Sequence, residues 1–440
     1  MGYMPVKPLL AALCALALCP TLVDAQDPGG ENEPVVSPFP SRVETVSGRR
    51  VKVGPIRVVL RGYRTPLATP FRDGQILLSA GSAKVGAVMV RSRDRGHSWA
   101  REANPLVHLN TLELADGTVQ AIDYRIKPIE GESESYSFDR WQSTDQGKTH
   151  RPVTKGRLGL PESIFDPRQT NWFHGNLVQL QTGELLTVMQ GEQLVEGKST
   201  WRSFLVRSTD GGATWRYESM LADHHALAPI RERLQANGWR LHGVVEANLL
   251  AIEDSQLLCV ARVMDDESNV PVEQFSPPIE TYHDLSYTIS GEGMHTGIAH
   301  LPADRYYVPG RRSCPLILMR SSDGGATWSK PEVMTPARGC FPRMATDGKV
   351  IALSYGGGSG ALRWGNFVCF SFDGGRTWSG ELNVGPFLST GYTSIVTGGE
   401  RKFVVFFDCT PPQPWTEPAA HWIGAVDVEI VHDSNEEPQK

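Results

Sequence analysis

The sequence has little of what marks several common classes of protein. Its 440 residues carry a formal net charge of −6, with 43 Lys and Arg against 49 Asp and Glu, whereas nucleic-acid binders normally show a basic excess. Beyond the amino terminus, no apolar run approaches the roughly 18 residues that a membrane-spanning helix needs. The 7 cysteines lack the close paired spacing of a zinc site, and phosphate-loop, dinucleotide-binding and G-x-S-x-G motifs are absent. We therefore expect no nucleic-acid partner, no membrane span, no metal and no cofactor.

The amino terminus has the features of an export signal. Lys7 precedes the apolar stretch Leu9–Leu18, and the segment 23–25 contains the small residues of a cleavage site. The stretch is too short for a membrane anchor. Cys19 would suit a lipoprotein, but the bulky Leu18 stands where lipidation requires a small residue. We predict a signal peptide at 1–25, a flexible lead-in rich in Pro, Gly and Glu at 26–42, and a secreted or periplasmic mature protein.

Five cysteines remain after this cleavage, so at least one lies outside any disulfide. Cys259, Cys369 and Cys409 lie in apolar, strand-like runs and are expected to be buried, unreactive thiols. One disulfide is compatible with the count, and its pairing stays open.

One short pattern, S-x-D-x-G-x-[ST]-W, recurs along the chain. Its Asp can accept backbone N–H groups of the turn, its Gly supplies a positive φ at little steric cost, and its Trp packs back on the hairpin. We therefore predict a structural role for these residues and no catalytic role for the aspartates. The copies are Ser92–Trp99, Ser208–Trp215, Ser321–Trp328, Ser371–Trp378 and the degenerate Ser143–His150, in which His replaces Trp.

The spacing of the repeated aspartates predicts the architecture. Successive aspartates are 51, 65, 113 and 50 residues apart, and about 50 residues suits a four-stranded propeller blade. The gap of 113 would hold two blades, one of them lacking the pattern and carrying an insertion. We predict an all-β fold: a six-bladed β-propeller of four-stranded antiparallel blades at 43–435. The two chain ends should complete one sheet, and residues 265–307 should form a long loop over one mouth.

These boxes, at this spacing in an exported chain, resemble the sialidase (neuraminidase) superfamily, where the pattern is called the Asp box or BNR repeat. The resemblance covers residues 45–435 and implies a site where three arginines bind the carboxylate of a sialic acid. It also implies a tyrosine nucleophile activated by a glutamate, an exception among glycosidases. Arginine forks suit a carboxylate, and a neutral phenol avoids the repulsion that a carboxylate nucleophile would meet.

Local context matches five residues to these roles. The segment 63–66, YRTP, looks like the family's opening Y/F-R-I-P element, which implies Arg64 as the first arginine. Glu246 and Arg262 stand 16 residues apart in a strand pair, as the family's activating glutamate and second arginine do. Arg363 precedes the last box by 8 residues, like the third arginine. Tyr392, before an apolar strand, resembles the nucleophile.

The family's acid/base aspartate has no counterpart here. It belongs in the loop after the first blade's second strand, and this segment, 79–90, contains Lys84 and no acidic residue. Protonating a leaving oxygen requires a placed acid, so another blade could supply it, or a good leaving group could reduce the need for it. Trp172 is a candidate for stacking on a sugar face. The candidates for the acid, on loops expected at the mouth, are Asp123, His174, Glu192, Asp265 and Asp266.

The leading expectation is an exo-glycosidase that acts on a terminal acidic sugar, and sialic acid is the first candidate for this sugar. The expected partners are sialylated or other acidic glycans. Tyr392 and Glu246 would be catalytic, and Arg64, Arg262 and Arg363 would bind the carboxylate. One alternative is a hydrolase or lyase of uronic-acid polysaccharides. Another is a non-catalytic glycan-binding propeller, which the missing acid favours. The oligomeric state stays open.

Overall fold

Strands account for nearly all of the secondary structure. A computed structural model describes residues 41–82, 86–103, 110–161, 172–195, 198–223, 225–235, 241–253, 255–265, 289–290, 293–294, 315–357, 363–389, 391–409 and 421–431. Within these ranges it has 32 strands and one helix, so the predicted all-β class is confirmed. The predicted signal peptide, nearly all of the lead-in and most of the predicted mouth loop lie outside the described residues.

The first part of the chain forms three leading strands and two groups of strands, which we call modules. The leading strands are β1 (Arg42–Val46), β2 (Arg49–Val53) and β3 (Arg57–Arg61). Module 1 pairs β4 (Arg64–Pro70), β5 (Ile76–Ser82), β6 (Gly86–Ser92) and β7 (Ala100–Arg101) in that order. In module 2, β8 (Asn110–Glu113) and β9 (Val119–Ile122) are followed by the inserted strands β10 (Lys127–Pro128) and β11 (Ser135–Phe138), then by β12 (Arg140–Ser143) and β13 (Arg151–Pro152). The module's sheet order is β8-β9-β12-β13.

Modules 3 and 4 are joined in one larger sheet. Module 3 follows β14 (Gly156–Gly159) and contains β15 (Trp172–Phe173), β16 (Val178–Gln179), β17 (Leu185–Val195), β18 (Lys198–Ser208) and β19 (Thr214–Met220). Helix α1 (Ala228–Gln235) leads to module 4, which contains β20 (Leu241–Glu253), β21 (Gln256–Asp265), β22 (Ile289–Ser290), β23 (Gly293–Met294), β24 (Pro315–Ser321) and β25 (Glu332–Arg338). Strands β15 and β16 both pair with β17, the order in module 4 is β20-β21-β24-β25, and β22 pairs with β23 alone. A single parallel bridge between Trp201 and Gly243 links the two modules.

The last two modules include both ends of the described chain. Module 5 pairs β26 (Cys340–Thr346), β27 (Ile351–Gly356), β28 (Arg363–Ser371) and β29 (Leu382–Ser389) in order. Module 6 contains β30 (Thr393–Gly399), β31 (Lys402–Cys409) and β32 (Trp422–Ile430). Strand β32 pairs antiparallel with β2, where Val51 faces Ile430, and with β3, where Arg57 faces Ala425. The predicted union of the two chain ends in one sheet is confirmed.

The 113-residue gap between two of the boxes holds one module, and the prediction of two is wrong. Strand β21 pairs directly with β24, with Leu257 opposite Ser321, so the strands before and after segment 266–314 belong to the same module. The module without a box is module 6, which is built from both chain ends. Spacing alone does not distinguish an inserted segment from a second module, because both lengthen the gap in the same way.

Apolar side chains are buried between successive modules. Each of six core clusters in the described residues contains side chains of two neighbouring modules, and one of them joins module 6 to module 1. Representative pairs, from modules 1–2 around to 6–1, are Phe71 with Val119, Ile122 with Phe204, Leu205 with Leu249, Val260 with Leu353, Phe370 with Phe403, and Phe406 with Leu78. The sheets therefore pack on one another in sequence order and return to the first. The predicted burial of Cys259, Cys369 and Cys409 is confirmed.

The repeated turns join the third and fourth strands of modules 1 to 5. In module 3, Asp210 Oδ1 accepts hydrogen bonds from Thr214 N and Ser208 Oγ, each at 2.8 Å, and Trp215 Nε1 donates to Gly212 O at 3.0 Å. The aspartates of the other four turns accept the same two bonds. These contacts confirm the predicted hydrogen bonding of the turn. We call this end of the modules the box edge, and the opposite end the site edge.

Candidate active site

The residues implied by the resemblance lie at the site edge. In an antiparallel module the first and third strands begin, and the second strand ends, at the edge opposite the turn between strands three and four. Arg64 is the first residue of β4, Arg363 is the first residue of β28, and Tyr392 immediately precedes β30. Glu246 and Arg262 lie on the neighbouring strands β20 and β21. The topology thus brings five positions from four modules to one edge.

Tyr392, Glu246 and Arg262 are in direct contact. Tyr392 OH donates to Glu246 Oε1 at 3.5 Å, and Arg262 Nη1 donates to the same oxygen at 3.3 Å. The other carboxylate oxygen accepts the backbone N–H of Phe341 at 2.8 Å. Glu246 is only 7% exposed, so groups from modules 4, 5 and 6 hold its carboxylate in place of water. A carboxylate held beside a phenol in this way can accept the phenolic proton.

The first strands of modules 1, 4 and 5 each bulge at the site edge. Thr65, Glu246 and Phe341 have φ values of 56°, 55° and 49°, and the pairing register of each strand shifts at these residues. Such left-handed conformations cost about 1–3 kcal/mol each for residues other than glycine. The other described non-glycine residues with positive φ lie in turns. Because a bulge redirects side chains, it allows Glu246 to leave the ladder of module 4 and reach Tyr392 of module 6.

Arg343 is a part of this site that motif reasoning did not indicate. It lies on β26, and its Cζ is 4.0 Å from the centre of the Phe341 ring, a cation–π contact. The Phe341 ring lies 4.1 Å from the ring of Tyr392. Burial lowers the pKa of Arg343 to about 10, against the opposing effect of the Glu246 and Tyr392 charges. The available sequence signal is its position near the start of a first strand, as for Arg64.

A row of aromatic rings extends from Tyr392 to module 3. The rings are Trp201, Trp172, Tyr124, His174, Phe341 and Tyr392, and neighbouring centres are 5.3, 5.7, 5.9, 5.5 and 4.1 Å apart in this order. Tyr124 and Trp172 are stacked with an interplanar angle of 16°. Aromatic side chains with a few polar groups between them are typical linings of ligand sites. Trp172, predicted as a sugar contact, is therefore connected to Tyr392 by a row of ring contacts in which His174 and Phe341 are buried.

His174 is a buried member of this row. Its side chain is 7% exposed, and its Nδ1 has no hydrogen-bond partner among the described residues. Burial lowers the pKa of His174 to about 4, with Glu246 opposing the shift and Arg343 adding to it. His174 is therefore neutral near neutral pH, which suits a hydrogen bond to a ligand better than donation of a proton.

Asp123 is the acidic candidate with a raised pKa. It directly follows β9 at the site edge of module 2, and its N–H donates to Asp139 O at 2.9 Å. Burial raises the pKa of Asp123, and the nearby Asp139 carboxylate adds to the shift, against an opposing hydrogen bond from the N–H of Arg125. Its neighbour Tyr124 belongs to the aromatic row. A carboxyl group with a raised pKa is protonated nearer to neutral pH and is better suited to donate a proton.

Several predicted residues have side chains outside the described part of the structure. Asp265 ends β21, Glu192 lies near the end of β17, and Arg363 begins β28, so the backbone places all three at the site edge. Asp266 and Lys84 lie wholly outside the described residues.

Arg64 lies where module 1 meets module 6. The N–H of Thr65 donates to the buried carboxylate of Asp408 at 2.8 Å, and the N–H of Ala68 donates to Ser394 Oγ at 3.0 Å. These bonds hold the start of β4 against the module that follows Tyr392. Among the described residues, the guanidinium of Arg64 has no hydrogen bond or ion pair.

Two further features concern metals and membranes. Among the described residues, no three His, Cys, Asp or Glu side chains are grouped so that they could hold a metal ion. In the same part of the chain, the helix is too short and too polar to cross a membrane.

Solved structures share this fold at low sequence identity. A protein of unknown function from Dyadobacter fermentans matches with a TM-score of 0.57 and 16% identity, over 87% of this chain and 99% of that one. The Hadza microbial sialidase Hz136 matches with a TM-score of 0.50 and 15% identity, over 82% of this chain and 65% of the sialidase. No protein-family model and no curated protein matches the sequence. The chain thus has an all-β fold of the kind found in a sialidase, and such a likeness concerns the fold alone.

Proposed function

We propose that the chain is a glycoside hydrolase that removes a terminal acidic sugar, a sialic acid in the first place, from glycans. We also infer that the six modules are the blades of one closed propeller, with the site edge at its mouth. The observation that carries the proposal is the contact between the Tyr392 phenol and the buried Glu246 carboxylate, beside Arg262. These are the groups that a phenolic nucleophile and an anionic sugar require.

The substrate's charge explains the choice of residues. In a sialic acid glycoside the anomeric carbon bears a carboxylate, and in our proposal Arg64, Arg262 and Arg363 bind it through their guanidinium groups. A carboxylate nucleophile would be repelled by this group. The neutral phenol of Tyr392 can approach, and it becomes anionic only as it reacts.

The proposed reaction has two displacements. Glu246 accepts the phenolic proton while Tyr392 oxygen bonds to the anomeric carbon and the glycosidic C–O bond breaks. We assign protonation of the leaving oxygen to Asp123, because of its raised pKa and its place at the site edge. Water then attacks the anomeric carbon and gives a proton to Asp123, and the released phenolate recovers its proton from Glu246. Two displacements retain the anomeric configuration.

Turnover of a fluorogenic aryl sialoside tests this proposal. Wild-type protein should hydrolyse it, and Tyr392→Phe and Glu246→Gln should each lower kcat by about 10³-fold. Tyr217→Phe, which changes a half-buried phenol on β19, is the matched control and should leave kcat unchanged. Asp123→Asn should slow an alkyl sialoside far more than the aryl one, because an aryl leaving group needs little protonation. A wild-type protein that turns over neither substrate would contradict the catalytic proposal.

The second candidate is glycan binding without cleavage, favoured by the absence of an acidic residue in segment 79–90. In that case wild type would bind an unsaturated sialic acid analogue in calorimetry, Arg262→Met would abolish this binding, and neither sialoside would be hydrolysed. Binding together with turnover excludes this candidate.

A further inference from the structure

Arg343 is a charged group of the site to which the proposed mechanism gives no role. Its guanidinium lies on the ring of Phe341 at 4.0 Å, and this ring lies 4.1 Å from the ring of Tyr392. The Arg343 Cζ is therefore no more than about 8 Å from the centre of the phenol ring. Phe341 also donates its backbone N–H to Glu246, so one residue contacts all three charged or ionisable partners.

Arg343 is half-buried, and one nitrogen of its guanidinium is shielded from solvent. Its Nη1 is buried and has no hydrogen-bond partner among the described residues. A buried donor without a partner costs about 1–3 kcal/mol, and more when it is charged. Burial lowers the pKa of Arg343 only to about 10, so the group stays positively charged at neutral pH. Packing does not require this charge, since a methionine would fill a similar volume.

We propose that Arg343 is a positioning residue whose positive charge, acting across the ring of Phe341, stabilises the ionised phenol of Tyr392. This inference rests on the proposed function, because it deepens the role of the same tyrosine. Glu246 takes the phenolic proton, and the charge of Arg343 favours the phenolate that remains. The buried ring of Phe341 lies between the two groups in place of water.

Charged groups other than Arg343 also act on the ionisation of the Tyr392 phenol. Glu246 opposes ionisation of the phenol, and Arg262, bonded to that carboxylate, offsets it. His174 is neutral at working pH and adds no charge. At the start of module 1, the N–H of Thr65, beside Arg64, donates to the carboxylate of Asp408 in module 6. Arg343 is the cation that contacts the ring packed on Tyr392.

The size of the effect follows from the distance. A unit charge at about 8 Å, at the effective dielectric constant of about 20 that suits protein sites, changes a pKa by about 1.5. Replacing Arg343 with a neutral residue should therefore raise the pKa of Tyr392 by about 1.5.

Titration of the phenol by tyrosinate absorbance, without substrate, tests the inference. Each variant is measured with and without the additional change Tyr392→Phe, so that the difference reports Tyr392 alone. We expect Arg343→Met to raise the pKa of Tyr392 by about 1.5, and Arg343→Lys, which keeps the charge, to leave that pKa close to its wild-type value. The matched control is Arg320→Met at the box edge, where Arg320 bonds to Glu332 and to Gly375 O; it should leave the pKa unchanged.

Two results would overturn the inference. One is an unchanged pKa of Tyr392 in folded Arg343→Met; the other is a shift in Arg343→Lys as large as that in Arg343→Met, since the residue would then act through packing. If Arg343→Met does not fold, Arg343→Gln is titrated and judged by the same criterion. Because the titration needs no substrate, its failure is separate from a failure to hydrolyse sialosides, which concerns the proposed function.

Discussion

The backbone before Tyr392 packs so closely on module 5 that a single methyl group should displace it. Gly356 is the last residue of β27. A Cβ added there would lie 2.3 Å from Gly391 Cα, 2.4 Å from Gly391 O and 2.6 Å from Gly391 C. Carbon atoms in contact prefer separations of about 3.5–4.0 Å. The two backbones would therefore have to separate by about 1 Å, and Tyr392 follows Gly391 directly.

The substitution Gly356→Ala should damage catalysis more than folding. The Tyr392–Glu246 hydrogen bond is already 3.5 Å long, so a further displacement of about 1 Å would break it. A misplacement of this size at a reacting group costs on the order of 10²-fold in rate. Overpacking of a buried position typically costs about 1–3 kcal/mol of stability, which a domain of this size tolerates. We expect kcat/KM to fall by about 100-fold in a protein that remains folded.

The assay compares kcat/KM on the aryl sialoside, together with thermal unfolding, for wild type, Gly356→Ala and Gly380→Ala. Gly380 is the matched control, because a Cβ there meets no heavy atom within 4 Å, so its variant should keep full activity. If Gly356→Ala retained kcat/KM within about threefold of wild type, our reading of the contact between Gly356 and Gly391 would be refuted.

Two further predictions concern stability. His174 has a pKa near 6.5 in the unfolded chain and about 4 when folded, so the unfolded state gains protons first and wild-type stability falls as the pH drops below about 6.5. His174→Gln removes this titrating group. In urea unfolding, the free energy of unfolding should therefore fall by about 2 kcal/mol less between pH 7 and pH 5 in the variant than in wild type. An equal fall in both proteins would contradict the buried neutral imidazole. Hydrogen bonds from Thr327 and Ser321 lower the pKa of Asp323 to about 2. At pH 7, Asp323→Asn should therefore reduce the free energy of unfolding by about 1 kcal/mol. Its depressed pKa favours folding above pH 3.8, so the difference in stability between wild type and Asp323→Asn should vanish toward pH 2. The variant should keep the wild-type kcat, because the box edge is far from the site. A stability difference that persists in acid would show a cause other than the charge.

The predictions from sequence were most complete where contacts are local. Every hydrogen bond to the carboxylate of Asp323 comes from a residue no more than four positions away, so the repeat pattern contains the whole turn. Arg64, Glu246 and Tyr392 could be selected because their local context resembles that of the family's site residues. The placement of Arg64 and Tyr392 at one edge follows from the alternation of strand directions, which holds for any module of this type.

Predictions were weaker where a contact depends on packing between modules. The role of Arg343 was not apparent, because it depends on the ring of Phe341 lying between β26 and Tyr392. The burial of His174, which lowers its pKa, is likewise a product of neighbouring modules. The gap of 113 residues was read as two blades, one of them carrying an insertion, since a linear spacing contains no information about which strands pair.

The amino-acid sequence alone determined the all-β class and the repeated turns, and its resemblance to a known family indicated the candidate site residues. These properties depend on alternation and on residues a few positions apart. The tertiary structure alone decided that the ring of Phe341 lies between Arg343 and Tyr392, that His174 is buried, and that β21 pairs directly with β24. Such contacts join segments far apart in the chain, where closure of long loops and burial of shared apolar surface select the partners, and no local pattern specifies that choice.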